Sequence, residues 1–307
     1  MSITKVGLIQ DPHFSGSVPR SRTESYNLDI LRKILFVCKK VDVLIIAGDI
    51  FHTPTVSCYL LNVIATAFRR IQEKIGTQIY TIPGNHDIPY SNYDANYNRT
   101  ALALMESVRV VKSLTKERFG NTTFIGMPTV SKVKDLDVPI DTTNDKVLIG
   151  HYFYDYPHDR SFSLTKEYIK KLNYKIVYLG HEHSEQATEQ INNTNLYRIG
   201  AISRGSSHEF NLKRVPKFLL LECDNGVKSQ EIISIEHRPY SEVFIKEPTK
   251  KDLGLEVFIS NITDFLTTLE ESKVKRESMR EVLTKMKAPE PVITYIKHIY
   301  NTQLLEF

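Results

Sequence analysis

The feature that most constrains the fold is a series of short apolar segments, each running directly into polar residues and glycine. Five of these segments are predicted to be buried strands: Lys5–Gln10, Val41–Ala47, Gln78–Ile82, Lys146–Ile149 and Lys175–Leu179. Continuous apolar strands of this length are typical of a sheet that is covered on both faces. The predicted sheet therefore needs further layers on its two sides.

Helical periodicity fills the intervals between these strands. Apolar residues recur at helical spacing in Thr23–Lys39, Ser57–Lys74, Tyr97–Ser107 and Leu164–Leu172. Alternation of strands and helices predicts βαβ units and a layered α/β domain. Later segments, without long helices between them, are predicted to be consecutive strands of a second sheet in the same domain: Asn195–Ala201, Lys217–Cys223 and Lys228–Ile235.

The composition and the predicted secondary structure change after Arg238-Pro239. Glycine is nearly absent from the remaining residues, and helical patterns occur near 259–271, 274–287 and 291–304. We therefore predict two domains. Residues 1–238 form the large α/β domain, and residues 239–307 form a small α-rich domain.

Composition excludes several classes of protein. The 40 Lys+Arg and 36 Asp+Glu residues give a net charge of +4, which is too small to diagnose nucleic-acid binding. Three cysteines without a CxxC pair support neither a disulfide framework nor a cysteine zinc site. No apolar run approaches the roughly 18 residues of a membrane helix, and the N-terminus lacks a signal-peptide pattern. We expect a cytoplasmic protein without membrane contact.

Six of the ten histidines lie at or just beyond the carboxyl end of a predicted strand. In open α/β sheets this edge is where ligands bind. Imidazole, carboxylate and amide groups on converging loops are the ligands that divalent transition metals need. The five motifs, in chain order, are Asp11-Pro-His13, Gly48-Asp49-Ile-Phe-His52, Gly84-Asn85-His86-Asp87, Gly150-His151 and Gly180-His181-Glu-His183.

Each motif by itself is also compatible with an ordinary turn, because Gly, Asn and Asp are common turn residues. Gly-His-x-His is more informative, because a period of two places both imidazoles on one side of an extended segment. All five motifs, in order and each at a strand end, favour a metal site over five unrelated turns.

This ordered set of motifs resembles the calcineurin-like metallophosphoesterase superfamily across residues 11–183. The resemblance implies a four-layer α/β/β/α sandwich with two divalent metal ions. One metal would be bound by Asp11, His13, Asp49 and His183. The other would share Asp49 and be bound by Asn85, His151 and His181.

The resemblance also implies a phosphoester hydrolase in which His86 acts beside the scissile phosphate. Paired divalent ions bind phosphate oxygens and activate water for attack. A histidine cation such as His86 stabilises the transition state or protonates the leaving oxygen. Asp87 is adjacent in sequence, so we predict that it orients or charges His86, with a turn or helix cap as the alternative.

Two segments resemble the DNA nuclease subunits of the SbcD type within this superfamily. The first is Gly48–Pro54, in which His52 is predicted to be a second active-site histidine. The second is Pro83–Asp87 together with Ile199–Gly205, although the latter departs from the usual Pro-Gly-Ser spelling. The resemblance implies a manganese-dependent DNA exonuclease or endonuclease. It would act with an SMC-like coiled-coil ATPase of the SbcC type in DNA end processing, repair or recombination.

Two alternatives stand beside the nuclease. Metal ligands do not separate DNA nucleases from nucleotide or small-molecule phosphoesterases of the same superfamily. A non-catalytic scaffold on the same fold is disfavoured, since every ligand position is filled. The chain is short for an SbcD-type protein, which indicates a compact, phage-type version acting in the host cytoplasm. Residues 239–307 would then be a capping or ATPase-binding domain.

A DNA substrate requires cations that contact phosphates near the site. Candidate aromatic residues for stacking on unpaired bases are Tyr152, Phe153, Tyr154 and Tyr156. The alternative for each candidate is a solvated arginine or a core aromatic residue. The predicted phosphate contacts are Arg20, Arg22, Arg99 and Arg204.

In the nucleases that this chain resembles, helices after the second and third motifs pack across a twofold axis. We therefore predict a homodimer through helices 57–74 and 97–107. Packing of these helices within a monomer core is the alternative.

Overall fold

The fold is described by a computed structural model. The structure describes residues 3–19, 21–23, 25–89, 96–129, 146–156, 163–172, 174–205, 211 and 213–244. Strands and helices alternate through its first half, as the apolar periodicity predicts. The strands are β1 (Thr4–Ile9), β2 (Val43–Ala47), β3 (Gln78–Ile82), β4 (Lys112–Ser113), β5 (Lys116–Phe119), β6 (Thr122–Met127), β7 (Lys146–His151), β8 (Phe153–Tyr154), β9 (Ser163–Leu164), β10 (Ile176–Gly180), β11 (Glu189–Ile191), β12 (Thr194–Tyr197), β13 (Lys217–Asp224) and β14 (Gly226–Ser234). The helices are α1 (Tyr26–Cys38), α2 (Cys58–Ile75), α3 (Ala101–Ser107), α4 (Lys166–Leu172) and α5 (Tyr240–Val243), and a single 3-10 turn spans Tyr97–Arg99.

Two six-stranded sheets form the centre of the described structure. The first has the order β14-β13-β1-β2-β3-β4, and the second has the order β11-β12-β10-β7-β6-β5. The strands β1, β2 and β3 run parallel, and so do β6, β7, β10 and β12. Because parallel strands end at a common edge, the loops that follow them are brought together.

Side chains from the facing sides of the two sheets share one apolar core. Leu8 and Ile45 of the first sheet belong to the same buried cluster as Ile149 and Tyr178 of the second. On the outer side of the second sheet, Leu148 and Val177 pack with Ile169 of α4. Helices α1 and α2 contact β2 and β3 of the first sheet. The predicted four-layer α/β/β/α sandwich is confirmed.

Capping residues explain where α2 begins and ends and where α3 begins. The Ser57 hydroxyl accepts the N–H of Leu60 at 3.2 Å, and α2 ends at Gly76 in the left-handed region. The predicted helix Tyr97–Ser107 is interrupted at Thr100, whose backbone is extended and whose hydroxyl accepts the N–H of Ala103. This segment is therefore a 3-10 turn followed by α3.

The prediction that the three later strands form a second sheet together is wrong. β12 joins the second sheet, whereas β13 pairs antiparallel with β1 and extends the first sheet.

The predicted domain boundary at 238 stays a prediction, because the structure describes only residues 239–244 of the predicted second domain. No helix in the described ranges is long and apolar enough to cross a membrane.

Candidate metal centre

The loops at the carboxyl ends of five parallel strands place the five motifs together. Four of their residues other than glycine adopt positive φ values, of 52° at Asp11, 51° at His13, 52° at Asp49 and 86° at His181. Such values are uncommon for residues other than glycine and cluster at functional sites. A Cβ at Gly84 would overlap the carboxylate and main-chain nitrogen of Asp49, so the β3 loop requires glycine to approach this closely.

One group of ligand atoms comes from Asp11, His13, Asp49 and His183, all within 4.8 Å of one another. His13 Nε2 lies 2.9 Å from His183 Nε2 and 3.5 Å from Asp49 Oδ2. Burial lowers the pKa of His13 well below its usual value, so its imidazole is neutral. A neutral imidazole is the form that binds a metal ion.

A second group comes from Asp49, His151 and His181, whose ligand atoms also lie within 4.8 Å of one another. The His151 Nδ1–H donates to the Ala47 carbonyl at 2.8 Å, which leaves Nε2 facing Asn85 Oδ1 at 3.0 Å and Asp49 Oδ2 at 3.3 Å. Burial and the nearby His151 lower the pKa of His181 to about 3. The structure thus brings together all seven residues predicted to bind metal.

The electrostatics of these side chains fit a bound cation. Asp49 Oδ2 is buried without a well-directed hydrogen bond in the described structure, and nearby nitrogens are His151 Nε2 at 3.3 Å and His13 Nε2 at 3.5 Å. A buried carboxylate in this setting is stabilised by a bound cation. Burial opposes a charge on His151, but Asp49 and Asp11 outweigh it and raise the pKa of this imidazole to about 9. His151 Nε2 would therefore hold a proton in the absence of metal, and a metal ion can take the place of that proton.

Asp49 is common to both groups, so its carboxylate lies where two ions would share a ligand. Nitrogen and oxygen donors of this mixture bind divalent transition metals. The residues present therefore fit a pair of divalent ions, which would supply water activation and charge neutralisation at a phosphate group.

His52 and His86 lie beside the first group, and their ring nitrogens form a third set with His13 in which the atoms lie within 4.8 Å of one another. Their rings are stacked with centroids 5.2 Å apart, and the His86 ring is 4.8 Å from that of His13. The His86 Nδ1–H donates to the His52 carbonyl at 2.8 Å, and the His86 main-chain N–H donates to Asp49 Oδ1 at 2.9 Å. These bonds orient the His86 ring and leave Nε2 as the atom available for proton transfer.

The structure does not support the predicted action of Asp87 on His86. Asp87 is buried and accepts the main-chain N–H groups of Ile50, Phe51 and Gly84 at 3.0–3.2 Å. It therefore joins the loops after β2 and β3. Burial and the charge of Asp49 raise the pKa of Asp87 to about 7. Adjacent side chains in a turn diverge, and this explains why His86 and Asp87 serve different partners.

Two of the predicted DNA contacts are interior residues. Arg22 and Arg204 are each 1% exposed. Arg22 Nη2 pairs with Asp29 Oδ2 at 3.0 Å, and Arg204 Nη2 donates to the Arg238 carbonyl at 2.7 Å. This placement does not fit contacts with a DNA backbone, and we propose neither residue for that role. Arg99 is exposed in the 3-10 turn, and Arg20 lies outside the described residues.

These buried arginines belong to a second polar cluster that the sequence did not indicate. We call Arg22, Asp29, Lys33 and Arg204 the Asp29 cluster. Lys33 Nζ donates to Asp29 Oδ2 at 2.8 Å and to the Ile202 carbonyl at 3.2 Å. The guanidinium carbon of Arg22 lies 5.2 Å from the Tyr26 ring centre and 4.9 Å from that of Phe244.

Gln10 is a positioning residue that sequence reasoning missed. It is fully buried, and its Nε2 donates to Asp11 Oδ2 at 2.9 Å and to the Glu182 carbonyl at 2.9 Å. These bonds join the first motif to the segment between His181 and His183. A buried amide that orients a metal ligand supports the ligand's position. The available signal was a polar residue at the end of an apolar strand.

Comparison with known protein families agrees with this geometry. The family model described as calcineurin-like phosphoesterase matches residues 4–185. Among solved structures, the chain is similar to the crystal structure of TT1561 of Thermus thermophilus, with 14% sequence identity and a TM-score of 0.48. That match covers 76% of this chain and 100% of the other. The search of curated proteins found no match.

Proposed function

The chain belongs to the calcineurin-like phosphoesterase family, whose members hydrolyse phosphoester bonds with divalent metal ions, and from this premise we propose that it is a DNA nuclease. In this proposal, it hydrolyses phosphodiester bonds as the nuclease subunit of an SbcC/SbcD-like complex in DNA end processing, repair or recombination. Mn²⁺ is the proposed metal.

The observation that supports hydrolysis most strongly is the convergence of two ligand groups on the buried carboxylate of Asp49. Divalent ions held there would activate water and bind the oxygens of a phosphate group. The nuclease assignment is supported by His52, which the Gly48–Pro54 segment places against His86. Two imidazoles therefore lie beside the first ligand group.

We assign distinct roles to the two histidines. His86 holds a proton at Nε2 and delivers it to the leaving oxygen, because its Nδ1–H is already donated to the His52 carbonyl. His52 is exposed, and its stacked ring fixes the orientation of His86 from the solvent side. The protein supplies orientation and proton transfer, which contribute about 10²–10⁴-fold in rate.

The partners remain proposals. We propose an SMC-like coiled-coil ATPase of the SbcC type, with residues 239–307 as the capping or ATPase-binding domain. We also propose a homodimer through helices 57–74 and 97–107. Leu104 and Val108, four residues apart at the end of α3, are 50% and 44% exposed, which supports an apolar contact there.

One observation favours the alternative of a nucleotide or small-molecule phosphoesterase. With Arg22 and Arg204 buried, Arg99 is the predicted phosphate contact that the described structure places on the surface. A DNA backbone binds through several cations, whereas a small phosphodiester needs fewer. This alternative uses the same metal centre and the same His86.

Two substrates separate these candidates. The purified chain is incubated with Mn²⁺ and either a 5′-labelled DNA duplex or bis(p-nitrophenyl) phosphate, with His237→Gln as a histidine control away from the motifs. The nuclease proposal predicts cleavage of both substrates by the wild type and the control. Rapid ester hydrolysis without any DNA cleavage would favour the alternative.

A further inference from the structure

An aromatic pair lies against the second ligand group of the metal centre. The Phe153 ring centroid is 4.0 Å from that of His181, at an interplanar angle of 61°. Tyr156 stacks on Phe153, with centroids 4.9 Å apart and planes 24° from parallel. We call Phe153 and Tyr156 the aromatic rim. His52 and His86, in contrast, contact the first ligand group.

We propose that the aromatic rim stacks on the nucleobase next to the scissile phosphate and so gives the enzyme its selectivity for nucleotide esters. This inference rests on the proposed phosphodiesterase function and adds the chemical class of the group beside the phosphate. Stacking on an aromatic ring is tolerant of base identity because every base has a π-face.

The local backbone fixes the rim in place. Phe153 is paired with Ser163 between β8 and β9, and the Asp155 N–H donates to the Leu164 carbonyl at 2.9 Å. The Tyr156 N–H donates to Ser163 Oγ at 2.8 Å. Asp155 has a φ of 49°, which turns the chain between the two rings. A preorganised ring pair loses little freedom on binding a base.

The side chains of the other two aromatic candidates make contacts away from the metal ligands. Tyr152 is fully buried in the outer core of the second sheet, and its hydroxyl donates to the Pro128 carbonyl at 2.7 Å. The Tyr154 hydroxyl donates to Glu189 at 3.2 Å, and Arg198 lies over the Tyr154 ring at 4.7 Å. Phe153 is half-buried and Tyr156 is 43% exposed, so the rim presents aromatic surface beside the metal ligands.

Two esters with one leaving group test this role. Thymidine 5′-(p-nitrophenyl phosphate) has a base, methyl p-nitrophenyl phosphate has none, and both release p-nitrophenolate. Phe153→Leu is expected to raise KM for the thymidine ester about 5- to 100-fold, with kcat within about twofold. Hydrolysis of the methyl ester should not change. Tyr154→Leu, on the same strand, should leave both esters unaffected.

A binding measurement tests the rim independently of turnover. A single-stranded oligonucleotide with one 2-aminopurine is titrated with wild-type or Phe153→Leu protein in Mn²⁺. Stacking on the rim predicts fluorescence quenching by the wild type that the variant loses. Equal losses on both esters, no effect on either, or quenching independent of Phe153 would each overturn the proposal. If the wild type hydrolyses neither ester, the proposed function fails, while the quenching result still decides the rim.

Discussion

The metal centre and the Asp29 cluster are both groups of buried polar residues, but they are completed in different ways. In the Asp29 cluster, one carboxylate accepts from Arg22 and Lys33, and Arg204 bonds to a main-chain carbonyl. In the metal centre, Asp11 and Asp49 face imidazoles, and Asp49 Oδ2 has no well-directed hydrogen bond in the described structure. The Asp29 carboxylate is neutralised by cations of the chain itself, although Arg22 Nε and Nη1 and Arg204 Nε are buried without a hydrogen-bond partner in the described structure. The carboxylates of the metal centre instead fit a cation from solution.

The largest effect is expected from Asp49→Asn. This change removes the charge common to both ligand groups but keeps an oxygen that can accept the His86 N–H. Since loss of a partner in the surrounding shell already costs about 10–100-fold, hydrolysis of bis(p-nitrophenyl) phosphate in Mn²⁺ should fall by more than about 100-fold. Circular dichroism should show a retained fold. An active variant would show that Asp49 holds no essential ion.

His86→Gln should also abolish most activity, through the proton rather than through the metal. We expect kcat to fall about 10²- to 10⁴-fold, while the Mn²⁺ content measured by atomic absorption stays near that of the wild type. His237→Gln, whose native ring bonds to the Ile235 carbonyl, is the control and should retain activity. Loss of bound Mn²⁺ in His86→Gln would instead place His86 among the metal ligands.

Asp29→Ala should act on stability, in contrast to Asp49→Asn. Removing one partner of a buried ion pair leaves Arg22 and Lys33 without their carboxylate, which costs about 3–5 kcal/mol in the free energy of unfolding. Urea denaturation measures this loss. Asp42→Ala, at an exposed carboxylate that accepts the Lys5 N–H, should change stability little. Similar urea midpoints for the two variants would remove the distinction between the clusters.

The smallest effect is a pH dependence from Lys33. Burial outweighs its attraction to Asp29 and lowers the pKa of this ammonium from 10.5 to about 8. Between these values the unfolded chain binds more protons than the folded one, so stability should rise with pH, by at most about 1.4 kcal/mol per pH unit. Below pH 8 both states are protonated and Lys33 adds no slope.

Lys33→Met provides the comparison, because it removes the titrating group and keeps an apolar chain of similar length. Urea unfolding at intervals from pH 7 to pH 10 should give a steeper rise in stability for the wild type than for the variant. Identical slopes would mean that Lys33 is charged at its ordinary pKa in the folded protein.

Apolar periodicity predicted a layered α/β domain and the position of the site, whereas the four-layer arrangement was implied by the family resemblance. The strand Gln78–Ile82 has the predicted bounds, because Gly76-Thr77 precedes it and Pro83-Gly84 follows it. Strand ends indicated where a metal site would lie, because parallel strands deliver their carboxyl-terminal loops to one edge, and the family resemblance implied which residues would be its ligands. The addition of β13 to the first sheet was not predictable, since it depends on pairing with β1 over 200 residues away.

The direction and burial of individual side chains could not be predicted from the sequence either. Charged residues are usually exposed, so Arg22 and Arg204 were expected at the surface. Their burial depends on Asp29 and on the rings of Tyr26 and Phe244. Likewise, the sequence His86-Asp87 does not reveal that the carboxylate turns inward to three main-chain N–H groups. The sequence also does not reveal that Phe153 and Tyr156 lie beside the metal ligands, whereas the Tyr152 and Tyr154 hydroxyls bond elsewhere.

The central claim is that the chain binds two divalent ions that share Asp49. Calorimetric titration of metal-free protein with Mn²⁺, together with native mass spectrometry, counts the bound ions directly. The account predicts two ions per wild-type chain and at most one for Asp49→Asn. A wild type that binds no Mn²⁺, or an Asp49→Asn variant that still binds two ions with wild-type affinity, would contradict it.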